Sequence, residues 1–207
     1  MIIKNLVLSH FGTNCYILAD ETTSEAVVID PAAHGEKIAD EIAKYGYKVK
    51  YIIITHGHID HMMGLDVLKS RTNAIVAVSH GDSHKINSNS GCLADYFHTK
   101  APETKPDKLL REDDEIIFGD NVLKVIETPG HTPGGICLYC EKENVLFSGD
   151  TLFNMSIGRT DFEGGNMKTL VNSIREKLFT LPDDTIVYPG HSGSTSIKFE
   201  KENNYFV

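Results

Sequence analysis

The sequence has no tryptophan, few cysteines and no long apolar run. Four cysteines in 207 residues, Cys15, Cys92, Cys137 and Cys140, do not form the dense disulfide framework of a small secreted domain. No segment approaches the ~20 apolar residues that cross a bilayer. The first residues also lack a basic region followed by a sustained apolar stretch. We therefore expect no membrane partner and a cytoplasmic location.

Positive charge is also scarce. Lysine and arginine number 20 against 29 aspartates and glutamates, which gives a formal net charge of −9. An acidic protein without a basic arm is poorly suited to a phosphate backbone, so we expect no nucleic-acid partner, and a nuclease is disfavoured. Small anionic substrates are not excluded, because bound divalent metals would make a site locally positive. Length and a hydrophobic content of 41% predict a single domain over residues 1–207.

The segment His56-Gly57-His58-Ile59-Asp60-His61 places four metal-capable side chains within six residues. It follows a strand-like apolar run, residues 51–54. Side chains at i and i+2 of an extended segment point the same way, so His56 and His58 can converge on one ion. Asp60 and His61 can turn toward a second. For this segment alone, a histidine-rich turn without metal stays open as the alternative.

Three later segments repeat one pattern, in which a strand-like run is followed by glycine and a metal-capable side chain. Pro129-Gly130-His131 follows the run at 122–126. Ser148-Gly149-Asp150 and Pro189-Gly190-His191 end two further runs. Glycine lets the backbone turn sharply beside a crowded site, and strand ends are rigid supports for side chains that reach a cleft. Together the four segments predict a metal site.

In this order, the segments HGHIDH, PGHTPG, FSGDTLF and YPGH resemble the metallo-β-lactamase superfamily. The segments at 14–16, 28–31 and 158–162 make the chain similar to short single-domain glyoxalase II-like (hydroxyacylglutathione hydrolase-like) enzymes. The resemblance implies an α+β fold, a four-layer αββα sandwich with a two-metal site at one edge of its sheets. The cofactors implied are two divalent metal ions, with zinc expected first and iron or manganese as alternatives.

The roles of individual residues come from the same resemblance. It implies one metal on His56, His58 and His131, a second on Asp60, His61 and His191, and Asp150 as a bridge between them. It implies that Asp60 orients the attacking hydroxide, and it assigns substrate contact to Arg159, whose alternative is a surface arginine paired with Asp161 or Glu163. Asp30, which precedes Pro31, is expected to orient a ligand imidazole, with an ordinary turn aspartate as the alternative.

The implied reaction is hydrolysis of a small acyl thioester by a hydroxide activated between two metals. An iron-dependent persulfide dioxygenase is the main alternative, and a lactonase or β-lactamase on the same fold is another. Two-domain glyoxalase II enzymes carry a C-terminal helical domain, and a tyrosine where this chain has Gly193, so a glutathione thioester is only one candidate. The partner expected is therefore a small-molecule substrate of undefined identity.

Hydrophobic periodicity predicts how strands and helices alternate along the chain. Strands are predicted at 2–8, 16–19, 25–29, 49–55, 74–78, 115–118, 121–127, 136–139, 144–148 and 186–188, and helices at 36–45, 62–70 and 167–179. Cys137 and Cys140 lie three apart in one strand, so they should face opposite sides and form no redox pair. The long segment 87–107 is either a lid whose Tyr96, Phe97 or His98 meets substrate or an ordered surface excursion.

Overall fold

Two six-stranded sheets form the centre of the computed structural model, which describes residues 1–207. The first sheet contains, in spatial order, β1 (Ile2–Leu8), β2 (Thr13–Ala19), β3 (Glu25–Ile29), β4 (Lys48–Ile54), β5 (Ile75–Ser79) and β6 (Lys108–Leu110). The second is built from β7 (Glu115–Phe118), β8 (Asn121–Glu127), β9 (Ile136–Cys140), β10 (Val145–Gly149), β13 (Ile186–Pro189) and β14 (Thr195–Ser196). Between β10 and β13, a small hairpin pairs β11 (Leu152–Phe153) with β12 (Ser156–Ile157).

The second sheet has the spatial order β14-β13-β10-β9-β8-β7. Its β10 and β13 are parallel, as are β3, β4, β5 and β6 in the first sheet. Parallel strands need crossover connections, and helices α1 (Gly35–Lys44) and α2 (Leu65–Thr72) supply two of them. Parallel strands also end at the same edge of their sheet, so the residues that follow β4 lie beside those that follow β3.

Three apolar clusters separate four layers. Residues of α1 and α2, including Ile38 and Leu65, pack on the outer face of the first sheet. The faces of the two sheets meet around Phe118 and Phe147. On the far side, α3 (Met167–Glu176) and α4 (Ile197–Asn203) cover the second sheet, with Leu170 among the buried contacts. The predicted α+β sandwich of helices, two sheets and helices is confirmed. None of the helices combines the length and apolar character needed to cross a membrane.

The helix predicted at 62–70 is wrong at its start. A 3₁₀ turn occupies Ile59–His61, and α2 begins only at Leu65. The intervening chain is held against the end of β3, because Gly64 donates its N–H to the Pro31 carbonyl (2.8 Å). A Cβ at Gly64 would lie 2.9 Å from that same oxygen, so the close approach requires glycine. The prediction also missed β6, β11, β12, β14 and α4, and the 3₁₀ turn Leu178–Thr180 replaces the end of the third predicted helix.

The segment 87–107 is an ordered excursion without helix or strand. The Asn87 side chain donates to the carbonyls of Pro102 (2.8 Å) and Thr104 (2.9 Å), which closes the loop on itself. Cys92 is buried in the first apolar cluster, and its carbonyl accepts from the Ile59 amide (2.9 Å). The excursion is thereby tied to the turn that carries Asp60 and His61.

All four cysteines are free and buried. Cys137 packs among the residues under α3, whereas Cys140 packs between the two sheets. The two side chains therefore occupy opposite faces of β9, as the spacing predicts, and they form no disulfide.

Candidate metal centre

The predicted ligands all follow strand ends at one edge of the two sheets. His56 and His58 come directly after β4, and the 3₁₀ turn that follows carries Asp60 and His61. His131 follows β8, whereas Asp150 and His191 come immediately after β10 and close after β13. The structure brings all seven side chains together, in overlapping groups whose ligand atoms lie within 4.8 Å of one another.

The first group contains three histidines. His131 Nε2 lies 3.2 Å from His56 Nε2 and 2.9 Å from His58 Nδ1. Burial, reinforced by the neighbouring imidazoles, holds the pKa of His56 well below its usual range and lowers the pKa of His58 to about 3. His56 and His58 are therefore neutral at pH 7, the form in which imidazole can donate a lone pair to a metal.

The second group contains Asp60, His61 and His191. Asp60 Oδ2 lies 3.3 Å from His191 Nε2 and 3.6 Å from His61 Nε2. Asp150 stands between the two groups. Its Oδ1 is 3.3 Å from His61 Nε2, and its Oδ2 is 3.6 Å from His131 Nε2 and 3.5 Å from His191 Nε2. One carboxylate thus faces both groups.

The charges around His61 differ from those around His56. Burial disfavours a charged His61, but Asp150, Asp60 and Asp30 outweigh it and raise the pKa of His61 well above its usual value. Burial likewise opposes a charged Asp150, yet the positive field of His61 holds the pKa of Asp150 well below its ordinary range. The second group therefore concentrates negative charge, which favours the binding of a cation.

Four of the five imidazoles are oriented through Nδ1. The Nδ1 atoms of His131 and His191 face the carbonyls of Arg159 (2.7 Å) and Phe11 (3.2 Å). The Nδ1 of His61 faces Asp30 Oδ2 (2.9 Å), and that of His56 faces Thr55 Oγ1 (3.1 Å). A carbonyl or carboxylate only accepts, and the Thr55 hydroxyl already donates to Asp30 Oδ2, so the proton of a neutral ring sits on Nδ1 and the Nε2 lone pair points to the centre.

Divalent cations fit this donor set. His61 Nε2 and Asp150 Oδ1 are buried and have no hydrogen-bond partner, although they lie 3.3 Å apart. Such orphaned atoms are costly unless another group satisfies them. Gly190 leaves the space beside these two atoms open, because a Cβ at this position would press on Asp150 Oδ1 and lie 2.8 Å from His61 Cε1. Imidazole nitrogen and carboxylate oxygen are the ligands of zinc, iron and manganese sites.

A cavity of about 340 Å³ opens over the cluster. Its apolar wall comes from six side chains, Phe11, Leu93, Phe97, Phe153, Ile157 and Phe162. Leu93 and Phe97 belong to the ordered excursion, so this segment both packs on the fold and lines the cavity. Tyr96 contacts the edge of Phe162, and His98 is not part of the lining. A larger groove of about 900 Å³ on the outer side of the second sheet contains none of the seven clustered residues.

Arg159 lies at the rim of the cavity, with its side chain more than half exposed. Its guanidinium donates to both carboxylate oxygens of Asp161 at 2.7 Å and stacks over Phe162, 4.1 Å from the ring centroid. The pairing with Asp161 predicted as the alternative is present. Because Arg159 also lines the cavity, the structure leaves both roles to this side chain.

Several residues of the site were missed by sequence reasoning. Thr13 donates to Asp60 Oδ2 (3.2 Å), and Thr55 contacts both His56 and Asp30. The aromatic wall was also missed, apart from Phe97. Thr55 could have been found, because it immediately precedes the histidine segment. Thr13 and Asp60 are 47 residues apart in sequence, so no local sequence pattern predicts their contact.

Comparison with known proteins agrees with the fold. The sequence model of the metallo-beta-lactamase superfamily matches residues 8–191. The hydroxyacylglutathione hydrolase GloC of Haemophilus influenzae is 32% identical over 100% of this chain and 98% of its own. The mitochondrial persulfide dioxygenase ETHE1 of Mus musculus is 36% identical over 92% of this chain and 68% of its own.

Two solved structures extend the comparison. The B3 metallo-beta-lactamase BLEG-1 superimposes with a TM-score of 0.93 at 33% identity, over 99% of both chains. TTHA1623 in a di-iron-bound form gives a TM-score of 0.88 at 30% identity, over 99% of this chain and 100% of its own. With a family match over most of its length and relatives above 30% identity across nearly the whole sequence, the chain belongs to the metallo-beta-lactamase superfamily.

Proposed function

We propose that the protein is a binuclear metal-dependent hydrolase that acts on small acyl thioesters. The observation that carries this proposal is the position of Asp150 between a three-histidine group and an Asp60-His61-His191 group. Two sets of ligands that share one carboxylate suit two ions rather than one. His56, His58 and His131 would hold the first ion, Asp60, His61 and His191 the second, and Asp150 both.

Bound divalent ions would lower the pKa of water from ~15.7 toward ~7 and polarise a substrate carbonyl. The protein's own part is to orient the reactants. Asp60 accepts from Thr13 through Oδ2 and projects into the cavity, so we assign it the positioning of the attacking water. The Nδ1 contacts of His56, His61, His131 and His191 hold the imidazoles in one tautomer and rotamer throughout the reaction.

Covalent catalysis by a cysteine has no support in this fold. None of the four cysteines lines the cavity. Burial raises the pKa of the Cys137 thiol to about 11, and that of Cys15 also rises, so neither forms a thiolate at pH 7. Direct attack by water is therefore the reaction that the available side chains serve best.

The cavity supports a substrate with an apolar acyl part. Four phenylalanine rings and two aliphatic side chains border the space above Asp60 and Asp150. Apart from the clustered histidines, Arg159 is the cationic side chain in the lining, and its guanidinium is already paired with Asp161. We propose that an anionic part of the substrate displaces the Asp161 carboxylate and pairs with the Arg159 guanidinium. Similarity to GloC supports a thioester, since that relative's name specifies an acylated glutathione.

A persulfide dioxygenase is the second candidate. The specific observation in its favour is the 36% identity to ETHE1 over 92% of this chain. A di-iron form of one structural neighbour also keeps iron among the candidate metals. A β-lactamase or lactonase is a third candidate, supported by the close superposition on BLEG-1.

Metal analysis combined with a substrate panel tests these proposals. Purified protein should carry roughly two transition-metal ions per chain by inductively coupled plasma mass spectrometry. Acyl thioesters should turn over faster than lactones and lactams, and a persulfide should cause no oxygen uptake. Saturation at one ion would overturn the binuclear site. Turnover restricted to lactams or lactones, or oxygen uptake with the persulfide, would overturn the thioesterase.

A further inference from the structure

Asp82 is a fully buried carboxylate outside the ligand cluster that links two ligand-bearing loops. Its Oδ2 accepts from the Gly57 amide at 2.8 Å, and its Oδ1 accepts from the Gly134 amide at 2.9 Å. Gly57 lies between His56 and His58, whereas Gly134 lies three residues after His131. One carboxylate therefore bonds to both of the loops that build the three-histidine group.

The same clamp has a second layer of contacts. The Asp82 amide donates to Ser79 Oγ at 3.2 Å, and Ser79 Oγ in turn donates to the Gly134 carbonyl. The backbones approach so closely that a Cβ at Gly81 would lie 2.7 Å from Gly134 Cα. A Cβ at Gly134 would press on the Asp82 amide nitrogen. Steric contact thus prevents the loop after β5 and the loop after β8 from coming closer, and the hydrogen bonds between them oppose their separation.

Nothing in the local charge distribution explains why a carboxylate is buried here. None of the ion pairs within 4.0 Å includes Asp82. The Lys85 ammonium lies 3.5 Å from the Gly91 carbonyl, and the hydrogen bond of Lys85 to Asp82 joins backbone atoms, from its amide to the Asp82 carbonyl (2.9 Å). Burying a charge is unfavourable unless hydrogen bonds compensate it, and here backbone amides of the two ligand loops do so.

We propose that Asp82 is a positioning residue that fixes the distance between His131 and the His56-His58 pair. It touches neither metal nor substrate, and it acts through Gly57 and Gly134. The inference rests on the metal-binding part of the proposed function and is independent of the substrate. Its distinctive consequence is selectivity, because Asp82 bonds to both loops of the three-histidine group and to no residue of the Asp60-His61-His191 group.

Asp82→Asn tests this role with little change in size. An asparagine presents one oxygen and one NH₂ group, so it can accept from only one of the two amides and opposes the other with a donor. The probe is Co²⁺ added to metal-free protein, followed by calorimetry and visible absorption. Each group is measured alone, the three histidines in a His191→Ala background and the second group in a His58→Ala background.

We expect Asp82→Asn to weaken Co²⁺ binding by the three histidines roughly 10–100-fold, as outer contacts of metal ligands commonly do. Binding by the second group should change by less than about threefold. The matched control is Asp20→Asn. Asp20 is also buried and accepts the amides of Thr22, Thr23 and Asp120, but it lies beyond the opposite end of β2 from Thr13. Asp20→Asn should lower the melting temperature and leave both affinities within about threefold.

Unchanged affinity of the three histidines in Asp82→Asn, or equal losses in both groups, would overturn the role of Asp82. If Asp82→Asn does not fold, Ser79→Ala replaces it. That variant keeps the carboxylate but removes the hydroxyl that bonds Gly134, and it should weaken the three-histidine group selectively by about threefold or more. No weakening there would equally overturn the inference. Failure of the unsubstituted protein to bind Co²⁺ would overturn the metal centre as well, which separates the two proposals.

Discussion

Asp30→Asn should disable one proposed metal ligand, His61, without disturbing the fold around it. Asp30 Oδ1 accepts from the Thr55 amide (2.7 Å), and Oδ2 contacts both Thr55 Oγ1 (2.7 Å) and His61 Nδ1 (2.9 Å). An asparagine must keep its oxygen toward the Thr55 amide, because its NH₂ there would face another donor. The NH₂ group then replaces Oδ2 and donates to Thr55 Oγ1 and His61 Nδ1.

That donation reverses the tautomer of His61. A ring whose Nδ1 accepts carries its proton on Nε2, the atom that points to Asp60 and Asp150. A protonated Nε2 cannot donate a lone pair to a cation. We expect metal affinity of the Asp60-His61-His191 group to fall roughly 10–100-fold, by analogy with other outer contacts of ligand histidines.

The cost to stability should be smaller and separable. The contact with the Thr55 amide persists unchanged, and the two Oδ2 contacts persist with donors and acceptors exchanged, so the loss is the charge assistance, about 1–3 kcal/mol. Asp30 has a φ of 50°, a conformation that asparagine adopts readily and alanine does not. Asparagine is therefore the cleaner substitution.

Calorimetric titration of metal-free protein with Co²⁺, beside a thermal melt, measures both quantities. Thr55→Val is the matched control, because it removes the hydroxyl that donates to Asp30 but leaves the Asp30 carboxylate in contact with His61. It deprives His56 Nδ1 of its partner, so it should weaken the three-histidine group instead. A folded Asp30→Asn protein that binds two ions with unsubstituted affinity would refute the tautomer argument.

Three further predictions concern ligands, substrate and pH. Asp150→Ala should lose metal as well as turnover, whereas alanine at the exposed His84 should retain both, as measured by mass spectrometry and steady-state kinetics. Arg159→Ala should raise KM for an anionic thioester about tenfold with little change in kcat, and Asp161→Ala should lower that KM. Equal effects on a neutral thioester would contradict the assignment of substrate contact to Arg159. Burial lowers the pKa of His58 to about 3 in the folded protein, whereas the pKa of an unfolded histidine is ~6.5. Neutral His58 therefore supports the stability of the metal-free protein above pH ~6.5, and this stability is lost as the pH falls. Between about pH 7 and pH 5, the free energy of unfolding measured by denaturant titration should fall by about 2 kcal/mol more in the unsubstituted protein than in His58→Gln. Equal falls in the two proteins would refute this prediction.

The parts of the fold that follow from local sequence were predictable. The hairpin at 115–118 and 121–127 was predicted with its observed bounds, because alternating apolar residues flank the turn at Gly119, whose φ is 53°. The seven clustered side chains were also predictable, since each follows a strand end in a short segment. Their grouping came from family resemblance, because spacing alone does not say which strand ends meet.

The parts that depend on contacts between distant residues were not predictable. The late start of α2 coincides with the contact between Gly64 and Pro31, and β6 pairs with β5 across the excursion at 87–107. Asp82 stands in a short polar segment that resembles any loop. Its partners lie 25 and 52 residues away, so its contacts exist only in the folded chain.

The two proposed ligand groups differ in charge, and this difference bears on which metals each would accept. Apart from the shared Asp150, the first group offers only imidazole nitrogen, and the contacts behind its rings are a hydroxyl and a carbonyl. The second includes Asp60 and has Asp30 behind His61, so its field is strongly negative. Imidazole favours zinc, iron and similar borderline metals, whereas carboxylates admit harder ions such as manganese. If both groups hold divalent ions, the second group would therefore accept the wider range of metals.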